Sequence, residues 1–144
     1  MKAVIQRVTR ASVTVDGNIV GSIGRGYMVL LGVGKEDTEE TAERIVKKMA
    51  GLRIFADEAG KTNLSIQDVG GSVLIVSQFT LYADTRRGNR PGFTEGAKPD
   101  KAEALYQYFI QCARKEIQKV EHGIFGADMQ VELINDGPFT ILLE

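Results

Sequence analysis

The chain has 144 residues, of which 43% are hydrophobic and 26% charged, with a formal net charge of -1. This is enough for one domain with a real core, and the near-neutral balance excludes nucleic-acid binding by general electrostatics, leaving only a local patch for it. With one cysteine (Cys112) and one histidine (His122), no internal disulfide or His/Cys-rich zinc site can form, and His122 is the only base open to a Ser-His-Asp or Cys-His mechanism.

Residues 2–9 and 11–16 alternate or run apolar and are predicted as two strands. Asp16-Gly17-Asn18 is a tight-turn signal, and 19–23 return as a strand. Tyr27 to Val33 is a short continuous apolar run, expected as a fully buried strand. Asp37 or Thr38 can cap the next helix, with Glu39 and Glu40 favourable in its first turn. Ala42, Ile45, Val46 and Met49 give it one apolar face, and it ends near Gly51. Arg53-Ile54-Phe55 is a candidate short strand, followed by a polar loop over 57–60.

Val73 to Val76 is the most β-branched run and is predicted as a central strand leading directly into Ser77-Gln78-Phe79-Thr80-Leu81. From Ala83 to Lys98 the apolar pattern stops. This loop, carrying Arg86, Arg87 and Arg90, is longer than most in compact domains, and such length favours a functional role. Pro99-Asp100 opens a second helix whose apolar face is assigned to Leu105, Tyr108, Phe109, Cys112 and Ile117. Strands over 129–134 and 139–143 follow, joined by a sharp turn at Asn135-Asp136-Gly137-Pro138. The predicted fold is a single α+β domain, with an antiparallel or mixed sheet and two main helices. No apolar run approaches the roughly 20 residues that span a bilayer. The N-terminus has no signal-peptide h-region, so the cytoplasm is the expected compartment and no membrane partner is expected.

Ser77 and Thr80 place hydroxyls at the mouth of the central strand. Either could be a nucleophile with a base, or each could satisfy backbone groups at a strand end. No Gly-x-Ser-x-Gly elbow is present. Phe79 can stack on a base or belong to the core; strand alternation would point Gln78 and Thr80 away from it. Proline cannot donate to a sheet ladder, so Gly137-Pro138 marks an edge or bend, with a trans turn as the ordinary case. Arg86, Arg87, Arg90 and Lys98 can bind phosphate or be solvated surface. His122 is placed just past the second helix, near the negative end of its dipole. Phe125, between two glycines, can wall a pocket or pack on the core.

The segments Ser77-Gln78-Phe79-Thr80-Leu81, Asn135-x-Gly137-Pro138-x-Thr140, Ala83-Asp84-Thr85-Arg86 and Ala3-Val4-Ile5-Gln6-Arg7-Val8 together resemble the D-aminoacyl-tRNA deacylase family, in order and over essentially the whole chain. The resemblance implies a β-barrel-like domain with helices, working as a homodimer without metal or cofactor. The partner is the 3′ end of an aminoacyl-tRNA, whose D-aminoacyl ester is hydrolysed. It implies that Ser77, Gln78, Phe79 and Thr80 form the catalytic pocket. Phe125 and Met129 then lie near the adenine. Gly137 and Pro138, joined by a cis peptide, reach across the dimer into the partner's site and reject L-amino acids. Glycyl-tRNA, including mischarged Gly-tRNA(Ala), would also be cleaved, with the terminal ribose 2′-hydroxyl assisting. Two residues depart from the family pattern: Phe139 stands where a smaller β-branched residue is expected, and Gly92 where serine is. The rivals are a small-molecule esterase using Thr80 or Ser77 with His122, and a non-catalytic RNA-binding domain.

Overall fold

The computed structural model describes all 144 residues. In chain order the elements are β1 (Lys2–Val15), β2 (Asn18–Ile23), β3 (Gly26–Gly32), α1 (Glu39–Gly51), β4 (Phe55–Ala56), β5 (Thr62–Leu64), β6 (Ser72–Ser77), a single 3-10 turn (Phe79–Tyr82), α2 (Pro99–Glu116), β7 (Lys119–His122) and β8 (Gln130–Leu143). The main sheet runs β2-β1-β3-β6-β7, with β8 paired to the other edge of β1. The pairs made by β1 are antiparallel, whereas β3–β6 and β6–β7 are parallel. This is the expected α+β, barrel-like mixed sheet with two main helices. No helix is long and apolar enough to cross a membrane.

The first predicted boundary is overturned. Residues 2–15 form one strand, and the polar interruption at Thr9-Arg10 marks a change of partner. Along one edge β1 pairs with β3 as far as Val8, then with β2 from Ala11 onward. That hand-over curls the sheet until β2 lies against β6 and β7. A Cβ on Gly21 would meet the His122 carbonyl oxygen at 2.8 Å and Leu74 at 3.1 Å, so only glycine fits this approach.

Both faces of β3 and β6 are buried, which is why their sequences read as unbroken apolar runs. Tyr27, Val29, Leu31, Val73 and Ile75 join the larger core shared with the helices. Met28, Leu74 and Val76 face the inside of the curl, with Val8, Val13 and Ile23. Helix α1 is capped by Thr38, whose hydroxyl accepts from the Thr41 N–H while the Thr38 N–H donates to Thr41 Oγ1 at 3.1 Å. Asp37 has a different task. Buried at 9% exposure, it accepts from the Met1 ammonium at 2.5 Å and from the Gly34 N–H at 2.6 Å.

The apolar face of α2 is Leu105, Tyr106, Phe109, Ile110, Cys112 and Ala113. Tyr106 joins it fully buried, while Tyr108 packs at its margin, half-buried, and sends its hydroxyl to Glu43. Tyr106, three residues before Phe109, is buried because the face is wide enough to take in Ile110 and Ala113 as well. Strand β7 was not anticipated: four residues with one buried side chain, Val120, give too little pattern. It moves His122 from a helix end to a strand end. The two strands expected at the C-terminus are one, because both halves of β8 pair with β1.

Gly21→Ala is expected to destabilise the fold by about 1–3 kcal/mol through overpacking against backbone. Gly24→Ala, where an added Cβ meets nothing within 4 Å, should change stability by no more than about 0.5 kcal/mol. Urea unfolding of both variants checks the barrel closure; equal midpoints would refute it.

Candidate functional site

A cavity of about 590 Å³ opens beyond the end of β6. Such a volume suits a small-molecule moiety. One wall is Val76 with Ser77, Gln78 and Phe79. A second comes from the 83–98 loop and the start of α2, through Phe93, Ala97 and Ala102. The floor includes Tyr106, and the segment between β7 and β8 supplies Phe125, Asp128 and Met129. Five residues predicted for the site, Ser77, Gln78, Phe79, Phe125 and Met129, therefore face one space. Thr80, Gly137 and Pro138 do not line it.

The strand ends at Ser77 because the chain tightens into the 3-10 turn. The Gln78 N–H still donates to the Leu31 carbonyl at 2.8 Å, but alternation fails from Phe79 onward. Phe79 is accordingly no core residue: it is 64% exposed, and its ring packs edge-on against Phe93, with centroids 4.9 Å apart. Thr80 is exposed, and its hydroxyl accepts from the Gln78 side-chain amide. Phe79 and Thr80 open the turn, so their N–H groups have no acceptor within it.

No acid–base pair accompanies these hydroxyls. His122 Nδ1 lies 2.7 Å from the Gly123 carbonyl, and no hydrogen bond joins His122 to Ser77 or Thr80. Under the cavity the buried Tyr106 hydroxyl donates to the Ile75 carbonyl at 2.9 Å, and its ring lies tilted against Phe125. Burial holds this phenol well above its ordinary range, and does the same to Tyr27. Met129 packs close over Gly123: a Cβ there would lie 2.6 Å from the Met129 sulfur, so the thioether would have to shift.

Gly137-Pro138 is a cis peptide, with Gly137 at φ 144°, in the region that favours glycine. It lies in a bulge rather than a turn between strands. Gln6 pairs with Thr140 and Val8 with Asn135, so Arg7 alone faces Asp136 to Phe139. Arg7 braces the bulge. It donates to the Asp136 carbonyl at 2.9 Å and the Ile54 carbonyl at 2.6 Å, and its guanidinium lies 4.5 Å from the Phe139 ring centroid. Phe139 is thus the surface on which Arg7 rests. Asn135 closes the base, accepting from the Phe139 N–H at 2.6 Å. Through Tyr27, Arg7 aligns with Val73, four residues before Ser77 in β6. At roughly 3.3 Å per residue, about 13 Å along the sheet separates this bulge from the cavity of its own chain.

Sequence reasoning missed Arg7, Phe93, Tyr106 and Asp128. The arginine was visible in the opening motif, but its link to residue 136 is a matter of register.

A family model described as D-Tyr-tRNA(Tyr) deacylase matches residues 4–144. Proteins named D-aminoacyl-tRNA deacylase from Escherichia coli (strain K12 / DH10B) and Shigella boydii serotype 18 (strain CDC 3083-94 / BS512) are each 58% identical over 144 residues, covering 100% of this chain and 99% of theirs. Among solved structures, one described as c-Myc DNA Unwinding Element Binding Protein is 48% identical with a TM-score of 0.95, covering 100% of this chain and 98% of that one. Another, described as "a probable eukaryotic D-amino acid tRNA deacylase", shares the fold at a TM-score of 0.86 and 19% identity, covering 99% and 97%.

The two buried phenols make stability sensitive to alkali. Their folded pKa values lie above the 10.0 of a free phenol, so above that pH the unfolded chain loses protons that the native chain keeps, and stability falls. Tyr106→Phe should cost about 1 kcal/mol at neutral pH, from the lost hydrogen bond to the Ile75 carbonyl, which keeps the Gly123 N–H as its other donor. It should also make the alkaline fall shallower. Urea midpoints from pH 7 to 11 check both; an unchanged alkaline slope would remove Tyr106 from the account.

Proposed function

The chain belongs to the D-Tyr-tRNA(Tyr) deacylase family, and on that premise we propose that it hydrolyses the ester joining a D-amino acid to the 3′ end of tRNA, releasing free tRNA and amino acid. The observation that carries this reading is the family match over residues 4–144, with 58% identity to relatives bearing that name. Water adds to the acyl carbon, the bond to the ribose 3′ oxygen breaks, and that oxygen takes the proton. An aminoacyl ester is already activated, so the reaction does not need a side-chain nucleophile. The vicinal 2′-hydroxyl orients the water. The Phe79 N–H, without an acceptor in the turn, faces the developing oxyanion; losing one such donor typically costs ~10²–10³ in rate. Ser77 and Gln78 position the acyl group, and Phe125 and Met129 pack on the adenine.

The protein acts as a homodimer in which the partner's Gly137-Pro138 completes the pocket. Two features support this. Within one chain the bulge is too far along the sheet to reach the cavity. In addition, the outer edge of β8 is unpaired and carries Ile134 and Leu142, 46% and 53% exposed, the kind of edge that natural proteins cover. Main chain at residues 137 and 138 then blocks the direction an L side chain would take. A thousandfold preference requires about 4 kcal/mol, within reach of a steric clash plus an unpaired amino group. Glycine has no side chain to exclude, so glycyl-tRNA, Gly-tRNA(Ala) included, is also a substrate.

Purified protein should hydrolyse D-aminoacyl-tRNA and glycyl-tRNA, with the L-ester surviving by at least about a thousandfold. His122→Ala and Thr80→Ala should keep substantial activity. Loss of all hydrolysis in His122→Ala would favour the esterase. Tight tRNA binding with every ester intact would favour a binding domain.

A further inference from the structure

The 83–98 loop does more than wall the cavity. The Asp84 N–H donates to the Gly92 carbonyl at 2.8 Å, and the Gly92 N–H returns to the Asp84 carbonyl at 2.9 Å. These bonds close residues 85–91 into an ordered tip. Arg86 is spent on building it, donating from Nε and an Nη to the two Asp84 carboxylate oxygens at 2.9 and 2.8 Å. Those bonds hold the Asp84 carboxyl down at about 2. Lys35 is likewise engaged, with Glu95 at 3.3 Å. The other three cations, Arg87, Arg90 and Lys98, are exposed and make no ion pair.

Their placement is specific. Phe93 leaves the tip and packs on Phe79 at the cavity mouth, and Arg90 precedes it by three residues, at most about 11 Å of extended chain. Ala97, anchored by its N–H to the Val33 carbonyl at 2.9 Å, lines the cavity, and Lys98 follows directly. The loop carries four basic residues against two acidic ones, in a chain whose net charge is -1. Gly88, where an added Cβ would meet nothing within 4 Å, leaves the tip bare for close approach.

We infer that Arg87, Arg90 and Lys98 form a phosphate-binding rim that holds the single-stranded RNA backbone leading into the cavity. The inference rests on the aminoacyl-tRNA reading for the identity of that strand. The rim adjoins the wall of the cavity that Phe93 and Ala97 supply, so a nucleoside chain leaving on that side passes it. The contacts are to phosphates and so carry no base preference. They position the ester and fix how firmly the RNA is held, leaving the chemical step untouched.

The test uses R87A/R90A and R87K/R90K in the full chain. Binding of uncharged tRNA is measured by fluorescence anisotropy at several salt concentrations. Hydrolysis of D-aminoacyl-tRNA is compared with that of D-aminoacyl-adenosine, which has no phosphate. In R87A/R90A, tRNA affinity should fall about tenfold at moderate salt. The slope of log affinity against log salt should become shallower by about 1.4, at ~0.7 per lost single-strand contact. KM for D-aminoacyl-tRNA should rise by the same factor as affinity falls, with kcat and cleavage of the adenosine ester unchanged. R87K/R90K should restore affinity and slope. Unchanged affinity and slope, or equal loss on both esters, would overturn the rim. If wild-type protein shows the salt-dependent contacts but cleaves neither ester, the rim stands and the hydrolase reading fails.

Discussion

Strand β1 is hydrogen-bonded along both edges for most of its fourteen residues, to β3 and then β2 on one side and to β8 on the other. A strand held on both edges cannot slip by one residue without turning its buried side chains outward. Ala3, Ile5, Val8, Ala11 and Val13 are all buried, so its register is strongly held. The curl of the sheet follows from the change of partner near Thr9-Arg10. The bulge in β8 follows as well. Four residues of β8 stand against Arg7, and with β1 fixed on its far edge the surplus chain has to leave the sheet plane.

Arg7 links this framework to the chemistry. Its guanidinium satisfies two carbonyls and rests on Phe139, so the Gly137-Pro138 unit is a braced projection of the sheet. The cavity is made differently, from a strand end, a 3-10 turn and aromatic side chains. One feature is common to both: main-chain groups and shape take the place usually held by titrating side chains. That division is compatible with the proposed reaction, in which the substrate brings an activated bond and its own hydroxyl and the protein positions, excludes and sorts.

The fold class was legible because β3 and β6 are buried on both faces and α1 on one, and burial writes periodicity into sequence. Boundaries were less legible. The pattern broke at Thr9-Arg10 and again at Asn135-Asp136, and neither break is a strand end. A period-2 pattern records which face is buried, whereas strand continuity depends on edge partners that leave no local trace. Strand β7 was too short to write any pattern. On α2 the spacing from Leu105 and Cys112 points to Tyr108, yet the face is wide enough to bury Tyr106 fully and leave Tyr108 half-buried at its margin.

For the site, the sequence by itself determined the chemistry available. One histidine, one cysteine, a Ser-Gln-Phe-Thr segment at a strand end, a Gly-Pro unit and a basic loop were all apparent, as was the family that they resemble. Only the tertiary structure decided which of these meet. It gathered Ser77, Gln78, Phe79, Phe125 and Met129 around one cavity, added Phe93 and Tyr106, turned Thr80 outward and set His122 apart. It also carried Gly137-Pro138 about 13 Å along the sheet from its own chain's cavity. Residue types and their order are local properties of the chain. Distances between residues 7 and 136, or 79 and 93, come from register and loop closure, and these exist only once the core has formed.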